Sequence, residues 1–486
     1  MRRVLSPRQW SPPSIAAVLG LAVLLLRLVT AAQLGRSGVL HEWDVLFSAD
    51  PTVYVTSFTT GQNTYRWGGR SFVHPNISNV TYPLVHATAT AFHSIRPGVP
   101  AILVARRVAY LICPVLSGAT AAVLFLLFIE LGLHRSGAVL LTALFAVSFS
   151  GVVFGSVPES YCLSGLALAG LFWLAARTAR DPAGRAAHAW TWIAGGAVLA
   201  GITISNIVPF GLVALTVRRA RGHLVPRIRW AAVVSTIALA ITAAGYAIGA
   251  MLAPHAPAFT PRATGQIIES HPFDAWSALV EFPDAVGNAL VPPVPLKAPA
   301  DPALRQEMRF TLTYHTPGSL RPGQLWRSAL VLGLLLLAAL RARGMEPYQR
   351  TVVIAAGLVL AFNWALHSVY GSELFLYSQH WEVAILVVLS ALAAPLGNHR
   401  RLAQGALAAL VVLAAWNTAH VWQRVLRMLV AGEPVPAATV ETGRVQRQPR
   451  PATRSDDGQA RAVDCTPATV CRSRARAVPS DTASKI

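Results

Sequence analysis

The sequence predicts an all-α, polytopic membrane protein with about 11 transmembrane helices and two larger extracytoplasmic loops. Three observations lead there. First, the chain of 486 residues is 54% hydrophobic and only 13% charged, with a mean hydropathy of +0.48, whereas a soluble domain carries about 25% charged residues. Second, Leu, Ala and Val come in runs of roughly 15 to 25 residues, long enough to cross a hydrocarbon core as helix. The strand alternation of a membrane barrel is missing from the sequence. Third, 41 Lys and Arg face 21 Asp and Glu, a net charge of +20. Most of these basic residues stand at the ends of apolar runs, as the positive-inside rule requires, which removes nucleic acid as the reason for the charge.

The first apolar run, about 14–34, follows MRRVLSPRQW. It is longer than a signal-peptide core and no A-x-A site follows, so it reads as an uncleaved helix with its N-terminus inside. A polar region over 36–100 forms the first outer loop. The second segment, about 103–131, ends inside at Leu133-His134-Arg135. The third, about 136–156, ends outside at Pro158-Glu159-Ser160-Tyr161, and the fourth, about 162–178, ends inside at RTARDPAGR. Residues 190–217 are apolar throughout, yet arginines flank both ends: Arg177, Arg180 and Arg185 before, Arg218, Arg219 and Arg221 after. Two short helices turning near Ser205-Asn206 keep both clusters inside. At roughly 13 residues each they fall short of a hydrocarbon core of about 30 Å, which is tolerated only where protein or a wet cavity surrounds the break. Ser205 and Asn206 are then cavity residues.

Segment seven, about 230–252, leads to the second outer loop, 254–323, which carries Asp274, Glu281 and Asp284. Segments eight to eleven follow at about 325–341, 351–369, 381–396 and 403–424, with the outward loop from Gly371 to His380 between the ninth and tenth. The transmembrane domain thus spans 1–430, and residues 431–486 form a basic tail, rich in Pro and Ala, that reads as disordered. Counting spans puts the tail outside, whereas its charge favours the inside. Of four cysteines, Cys113 and Cys162 fall in apolar segments as packing residues. Cys465 and Cys471 in the tail would form one disulfide in an oxidising compartment. The Ala-, Arg- and Pro-heavy composition points to a GC-rich bacterial genome and so to the bacterial plasma membrane, where the sequons at Asn76 and Asn79 carry no eukaryotic-type glycan. No Walker A, G-x-S-x-G, H-E-x-x-H or C-x-x-C motif occurs in the sequence, which argues against ATP-driven transport and zinc proteolysis.

Acid is scarce, and on this topology it collects outside. The first loop opens with HEWDVLFSADP, holding Glu42, Asp44 and Asp50, and continues through Phe72-Val73-His74-Pro75-Asn76. A carboxylate at the membrane face can serve as general base for an acceptor hydroxyl or hold a divalent cation beside a phosphate; it can equally solvate the loop and cap an interfacial helix. Glu159 can orient a substrate or sit at the N-terminus of the helix that begins near Ser160. Glu373, Tyr377 and His380 mix acid, aromatic and imidazole at the interface, where Tyr and Trp are expected in any case. Arg27, inside the first run, and Arg106 and Arg107, near the outer end of the second, can meet a lipid phosphate or snorkel to headgroups.

These features resemble the GT-C class of integral-membrane glycosyltransferases, which includes protein O-mannosyltransferases and lipid A aminoarabinose transferases. The matching plan is an inside N-terminus, one helix, then a large outer loop with acids (Asp44, Asp50) and a downstream His74-Pro75. The Pro158-Glu159-Ser160-Tyr161 turn and the paired short helices around Asn206 also match. LFSAD, FVHPN and ELFLYSQHW are similar to stretches of uncharacterised bacterial membrane proteins of that class. The family's adjacent Asp-Glu pair is missing here, since Trp43 separates Glu42 from Asp44. The resemblance implies an inverting transferase that moves a sugar from a polyprenyl-phosphate-linked donor to an extracytoplasmic glycan, lipid or protein. Asp50 or Asp44 would be the base, and His74, Glu159, Asn206, Glu373, Tyr377 and His380 would bind substrate. Some members add a divalent cation, and no other cofactor is implied. Two other classes fit the composition. One is a transporter or flippase, for which the broken 190–217 segment argues. The other is a non-catalytic membrane assembly factor, in which no single loop carboxylate matters.

Overall fold

The computed structural model describes residues 11–41, 46–47, 49–61, 73–217, 224–252, 273, 275–292, 325–370, 374–394 and 400–431. Asp44, Glu373, Asp274 and the tail beyond Ala431 lie outside the described residues. Among the described residues the fold is all-α, with no strand. The helices are α1 (Pro12–Ser37), α2 (Pro51–Thr60), α3 (Tyr82–Ile95), α4 (Ala101–Glu130), α5 (Arg135–Val147), α6 (Phe149–Phe154), α7 (Tyr161–Arg180) and α8 (Ala189–Ile202). They continue as α9 (Ile207–Val217), α10 (Leu224–Leu252), α11 (Ala275–Leu290), α12 (Leu325–Arg341), α13 (Pro347–His367), α14 (Gln379–Ala393) and α15 (Arg400–Ala431).

Six of these are long and apolar enough to cross a membrane: α1, α4, α7, α10, α13 and α15. Helices α5, α8, α9 and α14 are apolar but shorter. On α1 the side chains of Val18, Leu21, Leu25 and Val29 are exposed. Water would penalise such a stripe, and a lipid environment would not. The opposite face of α1 packs on α4, where Gly20 and Gly118 let the two backbones touch. A Cβ on Gly118 would stand 2.7 Å from the Gly20 carbonyl oxygen, which is the use small residues have in membrane helix pairs.

Helix α14 lies at the centre. All of its side chains are buried, and α5, α7, α12, α13 and α15 surround it. From Val383 on it is apolar on every side apart from Ser390, and such a helix belongs inside a bundle. At about 1.5 Å per residue it is shorter than a hydrocarbon core of about 30 Å. Protein rather than lipid covers its ends, so the shortfall leaves no backbone polar group in hydrocarbon.

Four expectations change. The expected span at 136–156 is not one helix but two, α5 and α6. Ser148 breaks it with extended backbone (φ −58°, ψ 145°), and its hydroxyl accepts the Gly151 N–H at 3.1 Å. The break starts a new helix with its own Ser cap. The expected first loop, 36–100, is largely helical among its described residues. Helices α2 and α3 and a π-helical turn, Ile77–Thr81, pack against one another and on α4 through Tyr54, Phe58 and Tyr82. The second, 254–323, contains α11, which buries Ala278, Phe282, Ala285, Val286 and Ala289. Arg27, read as able to meet a lipid phosphate or to snorkel to headgroups, does neither and is fully buried in the bundle. Arg106 and Arg107 are exposed, as snorkelling side chains would be.

Candidate functional site

The ends of α1, α6, α8 and α13 and the starts of α2, α7, α9 and α14 are linked by a chain of contacts, and most of the sequence-predicted residues lie along it. Asp50 comes just before α2, with Pro51 at the first helical position, where the missing N–H of proline is harmless. Asp50 is 5% exposed, and its backbone N–H donates to Glu159 Oε1 at 3.0 Å. Glu159 Oε2 accepts the Ser160 N–H at 2.9 Å. Glu159 therefore joins the first loop to the start of α7, where the exposed N–H groups and the helix dipole favour a carboxylate. Tyr54, one turn into α2, donates its hydroxyl to Ser160 Oγ at 2.9 Å.

An aromatic wall begins one residue further on. The Tyr161 ring stands edge-on to Tyr377 at 5.9 Å between centroids and tilted to His380 at 5.5 Å. Tyr377 stacks on His367 at 4.6 Å, and His367 meets Trp381 at 5.2 Å. His367 Nδ1 lies 3.2 Å from the Tyr370 carbonyl oxygen. A carbonyl can only accept, so Nδ1 carries the hydrogen and Nε2 is the acceptor. Among the described residues His367 Nε2, His380 Nε2 and Trp381 Nε1 are buried without a hydrogen-bond partner. Orphaned polar atoms are rare in native interiors. Here three belong to one aromatic cluster.

His74 packs at the break between α8 and α9. Its Nδ1 lies 2.8 Å from the Ile202 carbonyl oxygen and 3.2 Å from Thr203 Oγ1. Ile202 ends α8, and Thr203 is extended (φ −148°, ψ 123°) before a short turn, Ile204–Asn206, leads into α9. The imidazole thus fills the gap of the broken helix. Asn206, 2% exposed, donates from Nδ2 to Ser164 Oγ at 3.4 Å and to the Leu199 carbonyl at 3.5 Å. It holds the break against α7.

Sequence reasoning missed two parts of this region. One is Phe47, a non-glycine residue at φ 56°. Its ring is fully buried and meets Phe149 at 5.5 Å and Phe375 at 5.0 Å. Left-handed backbone at such a residue costs about 1–2 kcal/mol, and the buried ring offsets it, fixing the segment that leads into Asp50. The other is a polar knot beneath the aromatic wall. Glu382 accepts from Ser148 Oγ and from Gln379 Nε2, and Gln379 Nε2 also reaches Ser150 Oγ at 2.7 Å. Ser150 and Ser378 share a hydrogen bond of 2.6 Å. Arg27 is likewise fully buried. Arg27 donates to Ser117 Oγ at 3.3 Å and to the Phe145 and Ala146 carbonyls at 3.4 and 2.7 Å.

Asp50, Glu159, Tyr377 and His380 thus follow one another along this chain of contacts, His74 and Asn206 meet at the break between α8 and α9, and Asp44 and Glu373 lie outside the described residues. Among the described residues no three His, Cys, Asp or Glu side chains come together to hold a metal ion. Asp50 and Glu159 by themselves are two carboxylates, fewer than the oxygen ligands a hard divalent cation normally takes. No family model matches the chain, and neither does any curated protein.

Proposed function

We propose that the chain is an integral-membrane glycosyltransferase on a GT-C-like plan of about 11 spans, working in the bacterial plasma membrane. It moves a sugar from a polyprenyl-phosphate-linked donor to an extracytoplasmic acceptor. One observation supports the reading above the rest: buried Asp50, held through its backbone N–H by buried Glu159, lies beside the start of α7, where Tyr161 opens an aromatic cluster holding three orphaned polar atoms. A sugar offers hydroxyls that both donate and accept, which suits the acceptor His367 Nε2 and the donor Trp381 Nε1–H. Aromatic faces suit its C–H surface.

In this reading Asp50 takes the proton of the acceptor hydroxyl. The acceptor oxygen attacks the anomeric carbon, the bond from that carbon to the phosphate oxygen breaks, and the configuration inverts. Burial excludes water from competing as acceptor. Glu159 holds the Asp50 backbone in place. Arg106 and Arg107, about two turns before Cys113 on α4, bring positive charge for the departing lipid phosphate.

The test is Asp50→Asn and Asp44→Asn, singly, with lipid-linked sugars and surface glycans profiled. Loss of a positioned general base lowers the rate about 10²–10⁴-fold. Normal glycans in both variants would end this reading. A transporter remains the second reading, because two ionisable side chains, Arg27 and Glu382, are buried inside the bundle beside a broken helix. It predicts that Glu382→Gln stops flux of a lipid-linked sugar across vesicles while Asp50→Asn does not.

A further inference from the structure

We propose that Cys113 and Cys162 form a redox-sensitive dithiol pair whose oxidation to a disulfide resets the Glu159 turn. Only four cysteines occur in the chain, and these two come from different helices, α4 and α7, to share a contact of 2.9 Å between sulfurs. Both are buried free thiols. Closing that contact to a covalent bond requires a movement of roughly 1 Å.

Their other contacts distinguish them from two packing residues. Cys113 Sγ donates to the Glu159 carbonyl at 3.4 Å, and Cys162 Sγ donates to the same oxygen at 3.2 Å. The Glu159 N–H in turn donates to Cys113 Sγ at 3.4 Å. The reduced pair therefore clamps both backbone groups of the residue whose carboxylate holds Asp50. A disulfide has no S–H. On oxidation the Glu159 carbonyl loses both thiol donors at once, while α4 and α7 become covalently joined.

A two-electron oxidant of the peroxide class supports the step, being small and neutral enough to enter the bundle. The sulfur of Cys162, a residue 3% exposed against 0% for Cys113, attacks one peroxide oxygen. It becomes a sulfenic acid, and the other oxygen leaves as water. The Cys113 sulfur then attacks the Cys162 sulfur and displaces the hydroxyl as a second water. Two thiols are oxidised, one peroxide is reduced, and both thiol protons end in water.

The experiment uses the full chain with Cys465→Ser and Cys471→Ser, purified reduced in lipid nanodiscs and titrated with hydrogen peroxide. Free thiols are counted by differential alkylation and the peptides identified by mass spectrometry. The expected result is that two thiols per chain fall together to none, that a peptide cross-linked between 113 and 162 becomes the main product, and that dithiothreitol restores both thiols. Adding Cys113→Ser or Cys162→Ser should remove the cross-linked peptide. The proposal is overturned if both thiols survive peroxide that fully oxidises glutathione in the same sample. It is also overturned if they stop as separate sulfenic or sulfinic acids. Should the Ser variants fail to fold, the titration of the parent chain decides alone.

Discussion

The backbone N–H of Asp50 donates to the Glu159 carboxylate at 3.0 Å, across 109 residues of sequence. This bond makes Glu159 a positioning residue for the candidate base. Glu159→Ala leaves two buried N–H groups, those of Asp50 and Ser160, without this acceptor. Each orphaned group costs about 1–3 kcal/mol. Glu159→Gln keeps one acceptor oxygen and should fall between wild type and Ala. Thermal unfolding in detergent checks the order, and equal melting temperatures for the three proteins would remove the buttress role.

Phe47 gives a prediction with an unusual sign. Phe47→Ala removes a fully buried ring and costs about 3–5 kcal/mol, while the new residue keeps the left-handed strain. Phe47→Gly loses the same ring and relieves that strain, so it should be the more stable of the two by about 1 kcal/mol. Paired denaturant titrations read the difference. An alanine variant more stable than the glycine variant would contradict the φ of 56°.

Arg27 and Glu382 are both fully buried and are not in direct ion-pair contact, so the expectation is that removing one of the two opposite charges costs more than removing both. Arg27→Met or Glu382→Gln alone strands a buried charge, at about 3–5 kcal/mol. The double change Arg27→Met with Glu382→Met removes both charges and should recover part of that loss. A double-mutant cycle with no coupling would show that the two do not act as a pair.

Asn79 lies against α10, with Nδ2 3.4 Å from the Gly245 carbonyl and 3.5 Å from that of Tyr246. A Cβ on Gly249 would collide with the Asn79 carboxamide. Gly249→Ala should therefore cost about 1–3 kcal/mol, and Asn79→Ala in the same chain should relieve most of it. If the double variant is no better than Gly249→Ala alone, the two residues do not touch.

The helices were legible because apolar runs and flanking arginines are local signals. The break near Asn206 followed from charge on both flanks of a run too short for two full spans, and Thr203 takes the extended backbone there. The break at Ser148 left no such mark, because both of its flanks are apolar. Helix α14 looked like an ordinary span. Its Gln379 and Glu382 became meaningful only through Ser148 and Ser150, more than two hundred residues away. The same holds for Arg27, whose hydrogen-bond partners come from α4 and α5. At the site, Asp50, His74 and Glu159 stood out as rare acids or as an imidazole in an outward loop. Phe47 and His367 did not, since nothing local separates a strained or orphaned side chain from an ordinary apolar neighbour.

The partners of Arg27 also set an order of assembly. During synthesis α1 leaves the ribosome first, carrying a guanidinium that costs about 2.5–3.5 kcal/mol at the centre of a lipid-exposed helix. Ser117 on α4 becomes available next, then the Phe145 and Ala146 carbonyls at the end of α5. Glu382 arrives only with α14, after about three quarters of the chain has been made. Until then the first helix is an unfinished insertion, with a charge solvated in instalments. A ribosome stalled before α14 should leave α1 slow to settle in the bilayer and exposed to membrane proteases.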